Sequence, residues 1–109
     1  MNVVVDLPAV RPGRLARRLD EASLAETVRE LRIVVRGASA EPLADGIRLV
    51  LRLSVAEIAD LADRIRALAD TWPFFGFRLL ADPPACWLEV RGREGAEEVA
   101  RAVFGELAS

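Results

Sequence analysis

Two short segments near the middle of the chain alternate apolar and arginine side chains. The sequence of residues 31–36 is LRIVVR, and that of residues 47–53 is IRLVLRL. Because successive side chains point to opposite faces of a β-strand, this pattern predicts two strands, each with one buried apolar face. The other face of each strand carries arginine, valine and arginine. Paired as a hairpin, the two strands would bring four guanidinium groups onto one open surface of a sheet.

Three other segments are also predicted to be strands. Residues 3–7 form a β-branched run that ends at a proline. In residues 74–80 and 86–91, apolar side chains recur at alternate positions, and the two prolines of residues 81–85 indicate a turn between them. Residues 37–46 hold proline, aspartate and glycine, and we predict that they form the connection between the two central strands.

A first helical region is predicted between the first two strands. Apolar spacing favours helix over residues 13–30, with a break near residues 20–22. Ser23 and Glu26 have the spacing of a capping box, which predicts that a second helix begins at Ser23.

Two later helices are predicted more directly. Ser54 and Glu57 again have capping-box spacing, and apolar residues then recur at three- and four-residue intervals as far as Trp72, which precedes a proline. A similar apolar stripe predicts a last helix over residues 96–107. The spacing also predicts i,i+4 ion pairs between Asp60 and Arg64, Arg66 and Asp70, and Glu97 and Arg101.

The predicted element order is β-α-β-β-α-β-β-α, which indicates an α+β fold. A chain of 109 residues has the size of one domain, and we expect residues 1–109 to form it. Its first six elements have the ferredoxin-like βαββαβ order, extended by a further strand and a C-terminal helix. The expected architecture is therefore a two-layer sandwich with helices on one face of an antiparallel sheet.

Composition narrows the choice of compartment and partner. The net charge is −2 at pH 7, so no overall basic field marks a nucleic-acid-binding protein. Hydrophobic residues make up 52% of the chain, and this excess suggests a surface that is buried against a partner. The single Cys86 predicts no internal disulfide, and its parity places it in the core. We expect no membrane span and no signal peptide, and therefore a cytoplasmic protein.

The side chains that most enzymes use are absent from the sequence. Without histidine there is no Ser-His-Asp or Cys-His arrangement, and without lysine there is no Schiff base or Walker lysine. A zinc site normally needs several cysteines or histidines. The acidic pairs Asp60/Asp63 and Glu97/Glu98 are typical of a solvated helix face. We therefore expect no enzyme activity, no cofactor and no metal.

The strongest candidate site is the open face of the predicted sheet. Its predicted members are Arg32, Val34, Arg36, Arg48, Val50, Arg52, Arg78, Trp87 and Arg91. Glu89 is the only acid that the strand pattern places there. Because like charges opposite one another across strands are unfavourable, such a face would be stabilised by an anionic partner. An acidic protein surface or a second copy would serve, and so would single-stranded nucleic acid with Trp87 or Phe74 stacking on a base. A solvated face is the remaining alternative.

Two weaker candidates lie outside that face. A cluster of arginines in the first helical region could contact phosphates or an acidic partner, but a solvated helix face explains it as well: Arg11, Arg14, Arg17 and Arg18. Residues 92–95 have the G-x-x-G pattern of an anion-binding loop, although a glycine turn before a helix is the simpler interpretation.

Our hypothesis from the sequence is a non-enzymatic protein-interaction or assembly module that self-associates. It would use the open arginine-rich face or an edge of the sheet. The first alternative is a domain that binds RNA or single-stranded nucleic acid through the same face. The second is a small-ligand-binding regulatory domain, an idea based on fold analogy alone.

Overall fold

The chain folds into a single antiparallel sheet and three α-helices, as seen in a computed structural model that describes residues 3–8, 21–35, 37–92 and 95–108. The strands are β1 (Val3–Leu7), β2 (Ser39–Leu43), β3 (Gly46–Arg52), β4 (Phe75–Asp82) and β5 (Ala85–Gly92). The helices are α1 (Glu21–Glu30), α2 (Val55–Thr71) and α3 (Ala96–Phe104), and single turns of 3-10 helix span Leu31–Ile33 and Gly105–Leu107. The radius of gyration, 12.8 Å, matches the ~13 Å of one compact domain of this length.

The five strands lie in the order β1-β4-β5-β3-β2, and every neighbouring pair is antiparallel. Helix α2 packs over β1 and β4, while α3 packs over β5 and β3 and α1 packs against α3. The predicted α+β class, with helices on one side of an antiparallel sheet, is therefore confirmed. The ferredoxin-like order is not confirmed, because β1 lies at one edge of the sheet and pairs only with β4.

The core lies between the helices and one face of the sheet. Leu49, Leu79 and Leu88 at its centre are fully buried, as the alternation in their strands predicts. Phe75, Phe77 and Phe104 form an aromatic cluster beside them, with ring centroids 5.7–6.3 Å apart in edge-to-face contact. Cys86 is also fully buried on this face, which confirms its predicted place in the core.

Helix α2 begins as its sequence predicts. The Ser54 hydroxyl accepts a hydrogen bond from the Glu57 amide, and the Glu57 carboxylate accepts one from the Ser54 amide, so the capping box is complete. Among the predicted ion pairs of this helix, Asp60–Arg64 forms, at 3.2 Å. The predicted Arg66–Asp70 pair is wrong, because Arg66 bonds to Asp63 instead, also at 3.2 Å.

The segment of residues 31–36 is not a strand, and this is the main correction to the prediction. The amides of Val34 and Val35 both donate to the Leu31 carbonyl, which continues α1 through a tighter turn. Leu31, Val34 and Val35 are buried, whereas Ile33 is 65% exposed. The buried residues therefore follow the three- and four-residue spacing of a helix and extend the apolar stripe that Val28 begins.

The partner of β3 comes instead from the predicted connection. Residues 39–43 form β2, an edge strand that pairs with β3, so the predicted hairpin between residues 31–36 and 47–53 does not exist. Most of β2 is exposed, and it contains Pro42, a residue that sheets accept mainly in edge strands. An edge strand with no buried face shows no apolar alternation, and this is why the sequence pattern missed it.

Helix α1 also differs from its prediction at the N-terminal end. It already includes Glu21, so Ser23 lies inside the helix and the predicted start there is wrong. The predicted helix over residues 13–20 lies outside the described residues. Within the described part of the chain, no helix has the length and apolar character needed to cross a bilayer.

Candidate interaction surface

The face of the sheet opposite the helices carries the candidate site, and we call it the open face because no described helix packs on it. Strand register places two rows of side chains across it. The charge row is Asp6, Arg78, Glu89, Arg48 and Glu41, and the apolar row is Val4, Leu80, Trp87 and Val50. Each residue is the direct cross-strand neighbour of the next one in its row.

Charges in the charge row alternate in sign over all five strands. The edge strands β1 and β2 and the central strand β5 each carry an acid. The strands between them, β4 and β3, each carry an arginine. Opposite charges directly across a strand pair are favourable, and the register places each arginine of the row between two acids. This finding corrects the expectation that Glu89 is the only acid on the face.

Glu89 is the centre of the charge row and the only charged residue that is buried among the described residues, at 4% exposure. Arg48 donates two hydrogen bonds to its Oε2, from Nε at 2.9 Å and Nη2 at 2.6 Å. Arg91 donates a third to Oε1 from Nη1 at 2.7 Å. Burial by itself would raise the pKa of Glu89, but the hydrogen bonds and charges of Arg91 and Arg48 outweigh it and hold the pKa below its ordinary value.

Both arginines also contact a second acid on the far side. Arg48 Nη1 lies 3.5 Å from Glu41 Oε2, and Arg91 Nε lies 3.1 Å from Asp45 Oδ1 in the β2–β3 turn. Each guanidinium is thus placed between two carboxylates. The hydrogen bonds to Glu89 are the main reason that the pKa values of Arg48 and Arg91 are raised. Arg48 and Arg91 therefore carry charges that the chain itself neutralises.

Other charges on the open face have no such partner. Arg78 is exposed on β4 between Asp6 and Glu89 in register, yet it forms no ion pair within 4.0 Å with any described residue. Asp6 on β1 is likewise exposed and unpaired within the described chain, as is Arg52 at the end of β3. These groups remain available to a partner.

The apolar row leaves hydrophobic side chains in contact with solvent. Val4 is 58% exposed, and Leu80, Trp87 and Val50 are partly exposed. Between this row and the charge row lies a shallow depression of about 570 Å³. Its lining residues are Val4, Arg48, Arg78, Leu80, Ala81, Asp82, Trp87 and Glu89. Four adjacent apolar side chains on an uncovered sheet form a patch of the kind that marks a contact surface.

Six of the nine predicted site residues share the open face. They are Arg48, Val50, Arg52, Arg78, Trp87 and Arg91. Arg32 and Val34 do not belong to it, since Val34 is buried in the turn after α1 and Arg32 donates to the Glu106 carbonyl oxygen at 2.5 Å. Arg36 lies outside the described residues. Phe74, suggested as a stacking residue, is only 4% exposed and belongs to the core.

The prediction from the sequence placed Glu89 on the face but missed the other two acids of the charge row and half of the apolar row. Alternation along β1 places Asp6 and Val4 on the same face of the strand. The pairing of β1 with β4 shows that this is the open face. Glu41 had no signal, because β2 itself was not predicted. Leu80 follows from the alternation of β4, in which it occupies the same face as Arg78.

The weaker candidates gain little from the structure. Arg11, Arg14, Arg17 and Arg18 lie outside the described residues, as do Arg93 and Glu94 of the G-x-x-G segment. Gly95 adopts a φ of +94° at the start of α3, and its amide donates to the Glu97 carboxylate at 3.0 Å. An acid of the chain itself thus occupies that helix end.

Arg101 has a structural role that differs from its predicted pairing with Glu97. Its guanidinium donates to the carbonyl oxygens of Leu43, Ala44 and Gly46, at 2.8–3.2 Å. Ala44 lies in the β2–β3 turn, and Leu43 and Gly46 flank that turn. Arg101 therefore ties α3 to the hairpin that carries Glu41 and Arg48.

Two observations concern the thiol and the acidic side chains of the described residues. Burial raises the pKa of the Cys86 thiol to about 11, so the thiol is protonated at neutral pH. The Cys86 thiol is therefore not an activated nucleophile. No group of three or more His, Cys, Asp or Glu side chains converges within the described residues.

Comparison with known proteins gives no family assignment. The chain matches no protein-family model, no curated protein and no solved structure. The geometry of the open face is therefore the basis for any functional conclusion.

Proposed function

We propose that this protein is a non-enzymatic assembly module that associates with itself through the open face of its sheet. The observation that supports this proposal is the apolar row, which no described helix covers and which lies beside Glu89, Arg48 and Arg91, charges that are paired within the chain. Burying Val4, Leu80, Trp87 and Val50 against a protein surface would stabilise association by about 25 cal/mol per Å² of apolar area. Trp and Arg are also enriched where protein interfaces bind most tightly.

The charge pattern favours a protein over a nucleic acid as the partner. Phosphate binding needs arginines whose charge is free to replace counterions. Arg48 and Arg91 are each held between two carboxylates, and Asp6 and Asp82 add further negative charge to the same face. An alternating surface instead suits a partner that itself carries charges of both signs.

Light scattering after size-exclusion chromatography tests the proposal over a concentration series. We expect a mass above that of the 11.9 kDa monomer at high concentration. Val4→Asp should shift the distribution to monomer, because it places a charge in the apolar row at an exposed site where folding tolerates it. Circular dichroism confirms that the variant is folded.

Val55→Asp is the matched control for this experiment. Val55 is 69% exposed, comparable to Val4, but it lies at the start of α2 and away from the open face. The control should leave the mass distribution unchanged. A wild-type protein that stays monomeric at every concentration, or an equal effect of both variants, would overturn the proposal.

Small-ligand binding is the second candidate, and the depression beside Trp87 favours it. Arg78 contributes an unpaired guanidinium to the wall of that depression, next to an aromatic surface. A small anionic aromatic compound would suit this combination. In a thermal-shift screen, a compound that raises the Tm of the wild type but not of Arg78→Gln would support this role. Uniform lack of stabilisation would count against it.

A further inference from the structure

We infer that the partner on the open face is a second copy related by a twofold axis that runs along the strands between β4 and β5. This inference rests on the proposed self-association and specifies its geometry. Two features of the open face determine it: the alternation of the charge row and the position of the apolar row. Each excludes a different set of arrangements.

Alternation in the charge row determines where such an axis can lie. A twofold axis parallel to the strands places each strand opposite a strand of the partner. The opposing strand is the one that lies at the same distance on the other side of the axis in the sheet order. An axis over the middle of β5 would place Glu89 against the partner's Glu89, and Arg78 against the partner's Arg48. Like charges would then meet along the whole row. An axis between two strands shifts the register by one strand, so that every charge on a strand that overlaps the partner meets its opposite.

The apolar row distinguishes between the two central positions that remain. With the axis between β4 and β5, Val4 faces the partner's Val50 and Leu80 faces the partner's Trp87, so all four apolar side chains are covered. With the axis between β5 and β3, Leu80 would face the partner's Ser39 and Val4 would face no described strand. Only the first arrangement buries the complete row.

An axis across the strands is less favourable. If the axis ran along the charge row, each charged side chain would face the same residue of the partner, so like charges would meet. If it ran along the apolar row, Arg78 would face the partner's Asp82, but Arg48 would face the partner's Arg52, because each pair flanks the apolar row at equal distances. The axis between β4 and β5 is thus the arrangement that satisfies both rows.

The same arrangement provides partners for charges that lack them within one chain. Asp6 comes to face the partner's Arg48, and Arg78 comes to face the partner's Glu89. Glu89 accepts three hydrogen bonds within its own chain, and a carboxylate has about four acceptor sites. The partner's Trp87 would lie over Leu80, at the wall of the depression.

The expected dimer is small. Four of the five strands would overlap, so the interface would be about 19 Å wide at ~4.8 Å per strand. Packed sheets lie ~10 Å apart, and their strands are inclined by ~30°. Such an interface falls at the lower end of specific protein contacts. Association is therefore measured by sedimentation over a wide concentration range.

Charge reversal at Asp6 tests the position of the axis by the direction of its effect. With the axis between β4 and β5, Asp6→Arg sets two arginines against each other at two symmetric sites, and we expect dimerisation to weaken roughly tenfold. With the axis on β5, Asp6 would face the partner's Glu41, and the same variant would strengthen the dimer. With the axis between β5 and β3, the variant would have no effect.

Asp70→Arg is the control, because it changes net charge equally on an exposed site of α2. It should leave dimerisation unchanged. A dimer that Val4→Asp disrupts but that Asp6→Arg strengthens or leaves unchanged would overturn this inference while sustaining the proposed function. A chain that never dimerises would overturn both.

Cross-linking gives an independent check on the register. Val4→Cys and Val50→Cys are each prepared in a Cys86→Ala background, and the two are mixed with a short bis-maleimide. The mixture should yield cross-linked dimers, since these positions face each other. Neither variant alone should yield cross-linked dimers. Its two introduced cysteines would be displaced from each other by three strand spacings, or about 14 Å, across the strands. Cross-linking of Val50→Cys alone would place the axis between β5 and β3 instead.

Discussion

The two faces of the sheet are built from alternate residues of the same strands, yet they are stabilised in different ways. On the covered face, Leu49, Leu79 and Leu88 are fully buried in the hydrophobic core. On the open face, Glu89 reaches nearly the same burial while it carries a charge. Burial there comes from neighbouring arginines whose stems and guanidinium groups cover the carboxylate.

This difference shows which kinds of change each face should resist. The covered face depends on shape and apolar area, so loss of volume should destabilise it whatever the pH. The open face depends on pairing, so loss of charge should matter even when volume is kept. Glu89, Arg48 and Arg91 are paired within the chain, which leaves the apolar row and the unpaired Arg78 and Asp6 for a partner.

Truncation of a core aromatic should have the largest effect on stability. Phe77 is 1% exposed and contacts the rings of Phe75 and Phe104, so Phe77→Ala leaves a cavity that the packed core cannot fill. We expect a loss of about 3–5 kcal/mol in the free energy of unfolding. Urea denaturation at low protein concentration measures it without a contribution from self-association.

Val4→Ala is the corresponding truncation on the open face. Val4 is 58% exposed, so the same measurement should change by less than about 0.5 kcal/mol. Comparable losses in the two variants would show that the open face is packed as tightly as the core. The comparison of the two faces would then fail.

Removal of the central charge should have the next largest effect. Glu89→Gln keeps the volume but removes the anion between Arg48 and Arg91, whose side chains are 36% and 40% exposed and so stay partly hydrated. We expect a loss of about 2 kcal/mol, which is less than for a fully buried pair, because the arginines are not left desolvated.

Glu41→Gln is the matched control in the same row. Its carboxylate lies 3.5 Å from Arg48 and its side chain is 56% exposed, so we expect a change of at most about 0.5 kcal/mol. Equal effects at Glu41 and Glu89 would mean that the row acts as a general surface charge pattern. Burial at its centre would then have no special role.

Long periodic segments were predictable from the sequence, because tertiary contacts agree with their local pattern. The alternation in residues 47–53 correctly predicted β3 and the parity of its buried face. The capping box at Ser54 and the apolar stripe that follows it predicted α2. In both cases propensity, periodicity and burial favour the same structure.

Residues 31–36 show where the pattern was ambiguous. A segment of only six residues can fit both the two-residue alternation of a strand and the three- and four-residue spacing of a helix. The buried residues Leu31, Val34 and Val35 have the helical spacing. The end of α1 immediately before them decided the outcome, since the chain continues the helical stripe from Val28. No comparable helix precedes residues 47–53 directly.

The charge row could not be predicted as a row, although alternation within the strands placed Arg48, Arg78 and Glu89 on the open face. Its members come from five strands, and their alignment depends on cross-strand register, which local patterns do not specify. The arginines were visible because they alternate within strands. Their acidic partners Asp6 and Glu41 lie on edge strands, whose neighbours become known only with the sheet order.

Acidification should remove only the part of the stability that comes from the charge of Glu89, and this is the smallest effect we predict. The pKa of Glu89 is lower in the folded state than the ordinary value of about 4.3, so the unfolded chain binds the proton first as the pH falls. The stabilisation is therefore complete well above that value and decreases as the pH falls through it towards the pKa of the folded state. Urea denaturation of the wild type and of Glu89→Gln at about pH 7 and about pH 3.5 separates this effect from other acids. The difference between the two proteins should shrink at the lower pH, whereas a constant difference would assign the effect of the substitution to packing and not to the ion pairs.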